Sequence, residues 1–263
     1  MPRFRLLVSY DGTDFHGWQR QEPPGKEPLR TVQGTLEVAV REALRQPVRV
    51  VGASRTDSGV HAVGQVMAFS AATPIPVERL PWAINARLPM DVQVREPRIV
   101  REEFDPISDA ITKGYRYSIV MPHDAERLPP MFELRHAFWT VQRLDIEAMR
   151  MAAASMVGEH DFAAFAHAAH GRESTVRRVT ECHVTSPAPG HIRIDVAGTG
   201  FLYNMVRIIA GTLLEAGRGR RTAEDVTRAL ATGDRTLTGQ TLPPQGLCLR
   251  WIHYGERDES VAC

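Results

Sequence analysis

Residues 52 to 61 read Gly-Ala-Ser-Arg-Thr-Asp-Ser-Gly-Val-His and place a guanidinium at Arg55, a carboxylate at Asp57 and an imidazole at His61 within one short stretch. A carboxylate beside a guanidinium is kept ionised and aimed by charge-assisted hydrogen bonds, which suits a nucleophile or a general base. The same residues also make a turn, because the Asp of Asp57-Ser58-Gly59 can accept from the backbone two residues on. Ion pairs near turns are routine, so spacing alone favours the turn. His160, His167 and His170 invite a metal site, but no Cys or carboxylate stands at ligand spacing. Helix-end and surface histidines are the better account, and no metal or other cofactor is expected.

The elements that must carry these groups are legible as alternation and helical spacing. Val48, Val50 and Val51 lead into the polar stretch, and Val63, Val66 and Ala68 lead out, so it reads as a strand-to-strand loop. Phe4 to Tyr10 predicts a first strand with Phe4, Leu6 and Val8 on one side. It runs into a loop carrying His16, Trp18, Gln19 and Arg20, residue types suited to stacking and polar contact, although the sequence alone favours an ordinary loop with buried aromatics. Thr31 is a helix N-cap ahead of Val32, Leu36, Val40 and Leu44 at spacing four. Pro76 to Leu88 predicts a short helix, and Asp91 to Ile99 a strand interrupted by Pro97.

Charge density rises and periodicity fades near residues 101–106, which places a junction between an N-terminal half, 1–105, and a C-terminal half, 106–263. The second half opens on a strand in which Tyr115, Tyr117 and Ile119 share one face. Leu144 to Val157 predicts a helix capped by Asp145, and 176–185 with 191–197 a hairpin. Gly200 to Ala216 is apolar nearly all round and reads as a buried helix. Arg207 within it is costly without a partner, and Asp57 is the natural carboxylate. Thr222 to Thr232 is a last surface helix, and Leu247 enters a final strand to Tyr254. Two halves, each a sheet with helices, make the fold class α+β.

Composition bounds the rest. The chain has 263 residues, 43% hydrophobic, with a net charge of +1. No apolar run approaches the roughly 20 residues of a membrane span, and no signal-peptide segment opens the sequence. Cys182, Cys248 and Cys263 suggest neither a disulfide framework nor a zinc ribbon, so a soluble cytoplasmic protein is expected. Only Lys26 and Lys113 are lysines; the other basic residues are arginines, whose planar fork suits phosphate.

Several stretches, in the same order along the chain, resemble the tRNA pseudouridine synthase A family. Arg55-Thr56-Asp57-Ser58-Gly59-Val60-His61-Ala62 matches its active-site loop without a gap, with Ser54 where a Gly is usual. Tyr10-Asp11-Gly12-Thr13, His16 to Gln21, Lys113 to Tyr117, Met205-Val206-Arg207 and the stretch around Leu247 are similar to further family motifs. The resemblance implies the pseudouridine synthase fold, two similar halves sharing a central antiparallel sheet with a deep active-site cleft. It also implies isomerisation of uridine to pseudouridine in the anticodon arm of tRNA by a homodimer. In that reading Asp57 is the catalytic aspartate, attacking C1′ or removing the 2′ proton. Arg55 and Arg207 orient it, and Tyr115 and Leu247 enclose the base. One departure is large: the family's Phe-His-Ala-Arg is here Phe104-Asp105-Pro106-Ile107.

Two rivals follow from the same residues. A non-catalytic RNA-binding module needs no Arg55, Asp57 and Tyr115 together. A glycosidase also cleaves at an anomeric carbon but normally needs two carboxylates at one site, and the motif around Asp57 holds no second acid.

Overall fold

A computed structural model describes residues 1–22, 24–25, 27–122, 128–166 and 173–255. His167, His170, Cys263 and the polar tail beyond Gly255 lie outside the described residues. The chain divides into two compact units, Met1–Ile111 with Leu249–Cys263, and Thr112–Cys248. The terminal strand thus returns to the first unit, a long-range pairing that no local pattern announces.

The first unit contains β1 (Arg3–Tyr10), α1 (Val32–Leu44), β2 (Val51–Gly52), β3 (His61–Ser70), α2 (Leu80–Asn85) and β4 (Val92–Val100). Its strands run in the order β4-β1-β3, and β2 pairs with β3. Both β1–β3 and β1–β4 are antiparallel. Alternation sorts β1: Phe4, Leu6, Val8 and Tyr10 are buried, while Arg3, Arg5, Leu7 and Ser9 are half-buried. Thr31 caps α1 by accepting from the Gly34 N–H, and the helix buries Val32, Leu36, Ala39 and Val40. Each of the Val and Leu side chains contributes roughly 1.5–3 kcal/mol relative to exposure. A second cluster joins Val66, Ala68, Val100, Phe104 and Tyr254. Strand β4 lies at the end of the order, where Pro97 removes a donor, Glu96 takes a positive φ of 50° and the register against β1 shifts.

The second unit comprises β5 (Ala110–Val120, in this unit from Thr112), β6 (Phe138–Trp139), α3 (Ile146–Ala154), β7 (Gly158–Asp161) and β8 (Val176–Ala188). β9 (His191–Gly198), α4 (Met205–Gly217) and α5 (Ala223–Thr232) complete it before β10 (Leu247–Tyr254), whose residues from Leu249 lie in the first unit beside β3. The order here is β5-β9-β8-β7, all antiparallel, with β6 parallel to β5. Helix α3 packs on β8, α4 and α5. Asp145 caps α3, and Thr222 with Asp225 forms a capping box on α5. Helix α4 is buried almost all round, as its apolar sequence requires, and it starts at Met205 because Asn204 before it adopts φ 62°. Among the described residues, no helix is long and apolar enough to cross a membrane.

The β8–β9 hairpin is clasped at its tip by His191. Its Nδ1 lies 3.0 Å from the Pro189 carbonyl oxygen and its Nε2 2.8 Å from a Glu133 carboxylate oxygen. Two oxygen acceptors are satisfied together only by the imidazolium. The Pro189 carbonyl, then Glu133, raises the His191 pKa above 6.5, against partial burial and Arg193. A raised folded value means that the clasp is fully present below 6.5 and lost as pH rises through the higher folded value. The melting temperature of the wild type should therefore exceed that of His191→Gln below that pH, and the gap should close in alkaline buffer. A gap independent of pH would show that the imidazolium is not what holds the hairpin tip.

Candidate active site

In the first unit, the loop between β2 and β3 is held by its neighbours rather than by its own turn. On its rising arm the Ala53 N–H donates to the Val66 carbonyl (2.9 Å). The Gln65 side chain then extends that ladder: its Oε1 accepts from the Ser54 N–H (3.1 Å) and its Nε2 donates to the Ser54 carbonyl (2.6 Å). Gln65 is fully buried, so both halves of the amide need these partners. At the tip, Thr56 is gripped twice, by the Tyr10 hydroxyl at Oγ1 (2.8 Å) and by the Trp18 N–H at its carbonyl (3.0 Å). Beyond the tip, the Asp57 carbonyl accepts from Val60 (3.2 Å), while Ser58 Oγ donates to the Phe15 carbonyl (3.0 Å). The turn reading is therefore correct about the backbone. It leaves the half-buried Asp57 side chain at the tip of a rigid support.

Glycines permit this approach. A Cβ at Gly12 would collide with the Val60 carbonyl, and one at Gly52 with the Trp18 indole. Gly17 has φ +86° and lies against the Thr56 carbonyl, where a Cβ would stand 2.8 Å away. His61 is buried, and its Nδ1 accepts from the Gly12 N–H (3.0 Å).

The loop of residues 11–21 is thus largely a brace. Trp18 is only 2% exposed, its indole laid on Gly52, so it does not offer the stacking surface that its type and place suggest. His16, Gln19 and Arg20 are exposed. Arg20 is paired with Glu22 and with Glu37 (3.1 Å). Arg55 is exposed, and among the described residues its guanidinium makes no ion pair. The expected Arg55–Asp57 bond is not formed, because the tip turns this side chain to solvent.

In the second unit, Tyr115 on β5 is 7% exposed and meets Phe201 edge-on at 5.3 Å between ring centroids. Arg207 lies in the first turn of α4, with Nε donating to the Leu242 carbonyl (2.7 Å) and NH1 to Asn204 Oδ1 (2.9 Å). Leu247 is buried where β10 begins. Arg207 and Leu247 are tied to one stretch of chain, residues 242–247, a connection that no spacing in the sequence reveals.

A profile described as tRNA pseudouridine synthase matches residues 6–103 and 152–255. The tRNA pseudouridine synthase A of Geobacter sp. (strain M21) is 43% identical over 258 residues, covering 97% of this chain and 100% of that protein. The enzyme of the same name from Bacillus subtilis (strain 168) is 41% identical, covering 96% of this chain and 99% of the relative. The chain belongs to the tRNA pseudouridine synthase family. Among solved structures, an archaeal box H/ACA sRNP Nop10–Cbf5 complex aligns over 97% of this chain and 49% of that chain, with 10% identity and a TM-score of 0.36. At that score the likeness carries no part of the assignment.

Within this tRNA pseudouridine synthase, the departure at 104–107 is a braced turn of the first unit. Phe104 is buried against Tyr254 (5.2 Å), whose hydroxyl donates to the Pro106 carbonyl (2.8 Å). The Asp105 carboxylate accepts from the N–H groups of Ser108 and Ile107, and these bonds hold its pKa below the ordinary value. Tyr10 opens one of the family-like stretches, whereas Gln65 stands outside them all. Gln65 did carry a signal, a polar residue inside an apolar strand. Gly52→Ala should force Trp18 off the loop and cut turnover at least tenfold while leaving most helical circular dichroism; full activity in that variant would show that the brace does not position Asp57.

Proposed function

We propose that this chain isomerises uridines in the anticodon stem-loop of tRNA, with Asp57 as the catalytic carboxylate. The single observation that carries this reading is the Asp57 loop, held at Thr56 by Tyr10 and Trp18 within a family motif. The target base must leave its stack to be reached. An ionised Asp57 then either attacks C1′ or removes the 2′ proton; both routes break the C1′–N1 bond. The uracil turns and C5 bonds to C1′ as the Asp57–C1′ bond breaks or the 2′ proton returns; the proton from C5 is lost and N1 gains one, so the product is an isomer and no electrons are exchanged. Tyr115 and Leu247 would enclose the uracil. Arg207 would orient the Asp57 carboxylate, its own direction fixed by the Leu242 and Asn204 contacts. Exposed Arg55, with His16, Gln19 and Arg20, would contact the RNA backbone. The enzyme would work in the cytoplasm, as a homodimer, without metal. Exposed Met131 and Phe132 supply apolar surface for such a contact.

Asp57→Asn should bind tRNA as the wild type does and form no pseudouridine, since the amide is neither nucleophile nor base. Product formed by this variant at the wild-type rate would refute the assignment. Affinity should also fall steeply with salt, each neutralised phosphate adding roughly −0.7 to −0.9 to the log–log slope.

Arg207→Met should lower turnover, and its effect on stability should depend on residue 57. If the two charges interact, Asp57→Asn and Arg207→Met will be non-additive by more than about 0.5 kcal/mol in a denaturation cycle. Additive values would give Arg207 a purely local role on α4.

A further inference from the structure

We propose that Tyr117 is a positioning residue of the isomerisation, fixing the 242–247 strap and through it both Arg207 and Leu247. The inference rests on the roles just given to those two residues. The strap leaves α5's end of the unit and is seated first against α4. The Gly239 N–H donates to Thr212 Oγ1 (2.9 Å), and Gly211 and Gly239 meet backbone to backbone with no space for a Cβ at either. Next, the Leu242 N–H donates to the Arg207 carbonyl (3.3 Å), and Arg207 Nε returns a bond to the Leu242 carbonyl (2.7 Å). Leu242 is followed by Pro243 and Pro244, which have no N–H to donate. At these two positions the strap can be fastened only through its carbonyls or by packing. Tyr117 supplies both: its hydroxyl donates to the Pro243 carbonyl (2.7 Å), and its ring lies where a Cβ on Gly246 would stand 2.6 Å from Cζ. Leu247 follows at once.

Packing alone does not require a tyrosine here. Tyr117 is fully buried on β5, and phenylalanine would fill the same volume. The hydroxyl therefore has a specific use, and that use is the anchor nearest Leu247. Arg207 is close enough to draw the Tyr117 phenol partly back from the high pKa that burial gives it, so strap, arginine and tyrosine form one group.

Tyr117→Phe keeps the α4 anchors and releases the end of the strap. In single-turnover reactions with tRNA, its rate constant should fall roughly tenfold or more, the effect of one part-buried carbonyl left without its donor. The dissociation constant should remain near wild type, and the melting temperature should fall by no more than a few degrees. Gly246→Ala, which pushes the strap off the Tyr117 ring, should reproduce the pattern. A Tyr117→Phe rate within twofold of wild type overturns the inference. So does a loss of rate matched by equal losses of tRNA affinity and thermal stability, which would make the hydroxyl merely structural. Asp57→Asn in the same assay keeps the two levels apart: if it turns over, the underlying reading falls whatever Tyr117→Phe does.

Discussion

The placement of Asp57 depends on how closely the chain of residues 10–18 can approach the β2–β3 loop. That approach is limited by backbone, not by side chains: Gly12 lies on the Val60 carbonyl, Gly17 on Thr56, and Gly52 under the Trp18 indole. Once the two segments are this close, the Tyr10 hydroxyl and the Trp18 N–H reach Thr56, and the residue after it has little freedom left. A carboxylate on a free turn would sample many directions, and for the role proposed for Asp57 misplacement by even about 1 Å can cost a large factor in rate. Here the rigidity comes from the first strand and the loop that follows it.

The second unit solves a similar problem with similar means. Gly211 and Gly239 let helix α4 and the strap touch through their main chains, and Thr212 ties them. On that base Arg207 and the Leu242 main chain exchange hydrogen bonds in both directions, which orients a guanidinium that an apolar helix could not orient by itself. In both units, glycine contacts set the distance and one tyrosine hydroxyl completes the hold: Tyr10 on Thr56, Tyr117 on Pro243.

Much of this fold can be read from local pattern. Thr31, Asp145 and Thr222 each cap a helix because their side chains accept from N–H groups at the helix start, a relation confined to a few residues. The apolar circumference of α4 likewise predicts its burial. The motif around Asp57 is legible for the same reason, as are Tyr115, Arg207 and Leu247 through their own short motifs. What is not legible is long-range. Trp18 is core, as an ordinary loop with buried aromatics requires, but its partner Gly52 lies too far from it in sequence to be named from spacing. Arg55 looks paired by proximity, yet adjacent positions on a tight turn can point apart. The return of β10 to the first unit and the grip of Tyr117 on Pro243 span too much chain for spacing to encode.

The irregularity in β4 matters beyond the site. This strand ends the order of the first unit's sheet, and its outer backbone could in principle template another chain. Pro97 withdraws one donor from that edge, and Glu96, in the left-handed region, breaks the pleat beside it. Half-buried Arg95, paired with exposed Glu96 (3.4 Å), and exposed Arg98 put charges along the same segment. A newly made chain at high concentration would thus meet an edge that is irregular, bent and charged. The first unit's sheet thus ends on a strand poorly suited to pairing with another chain.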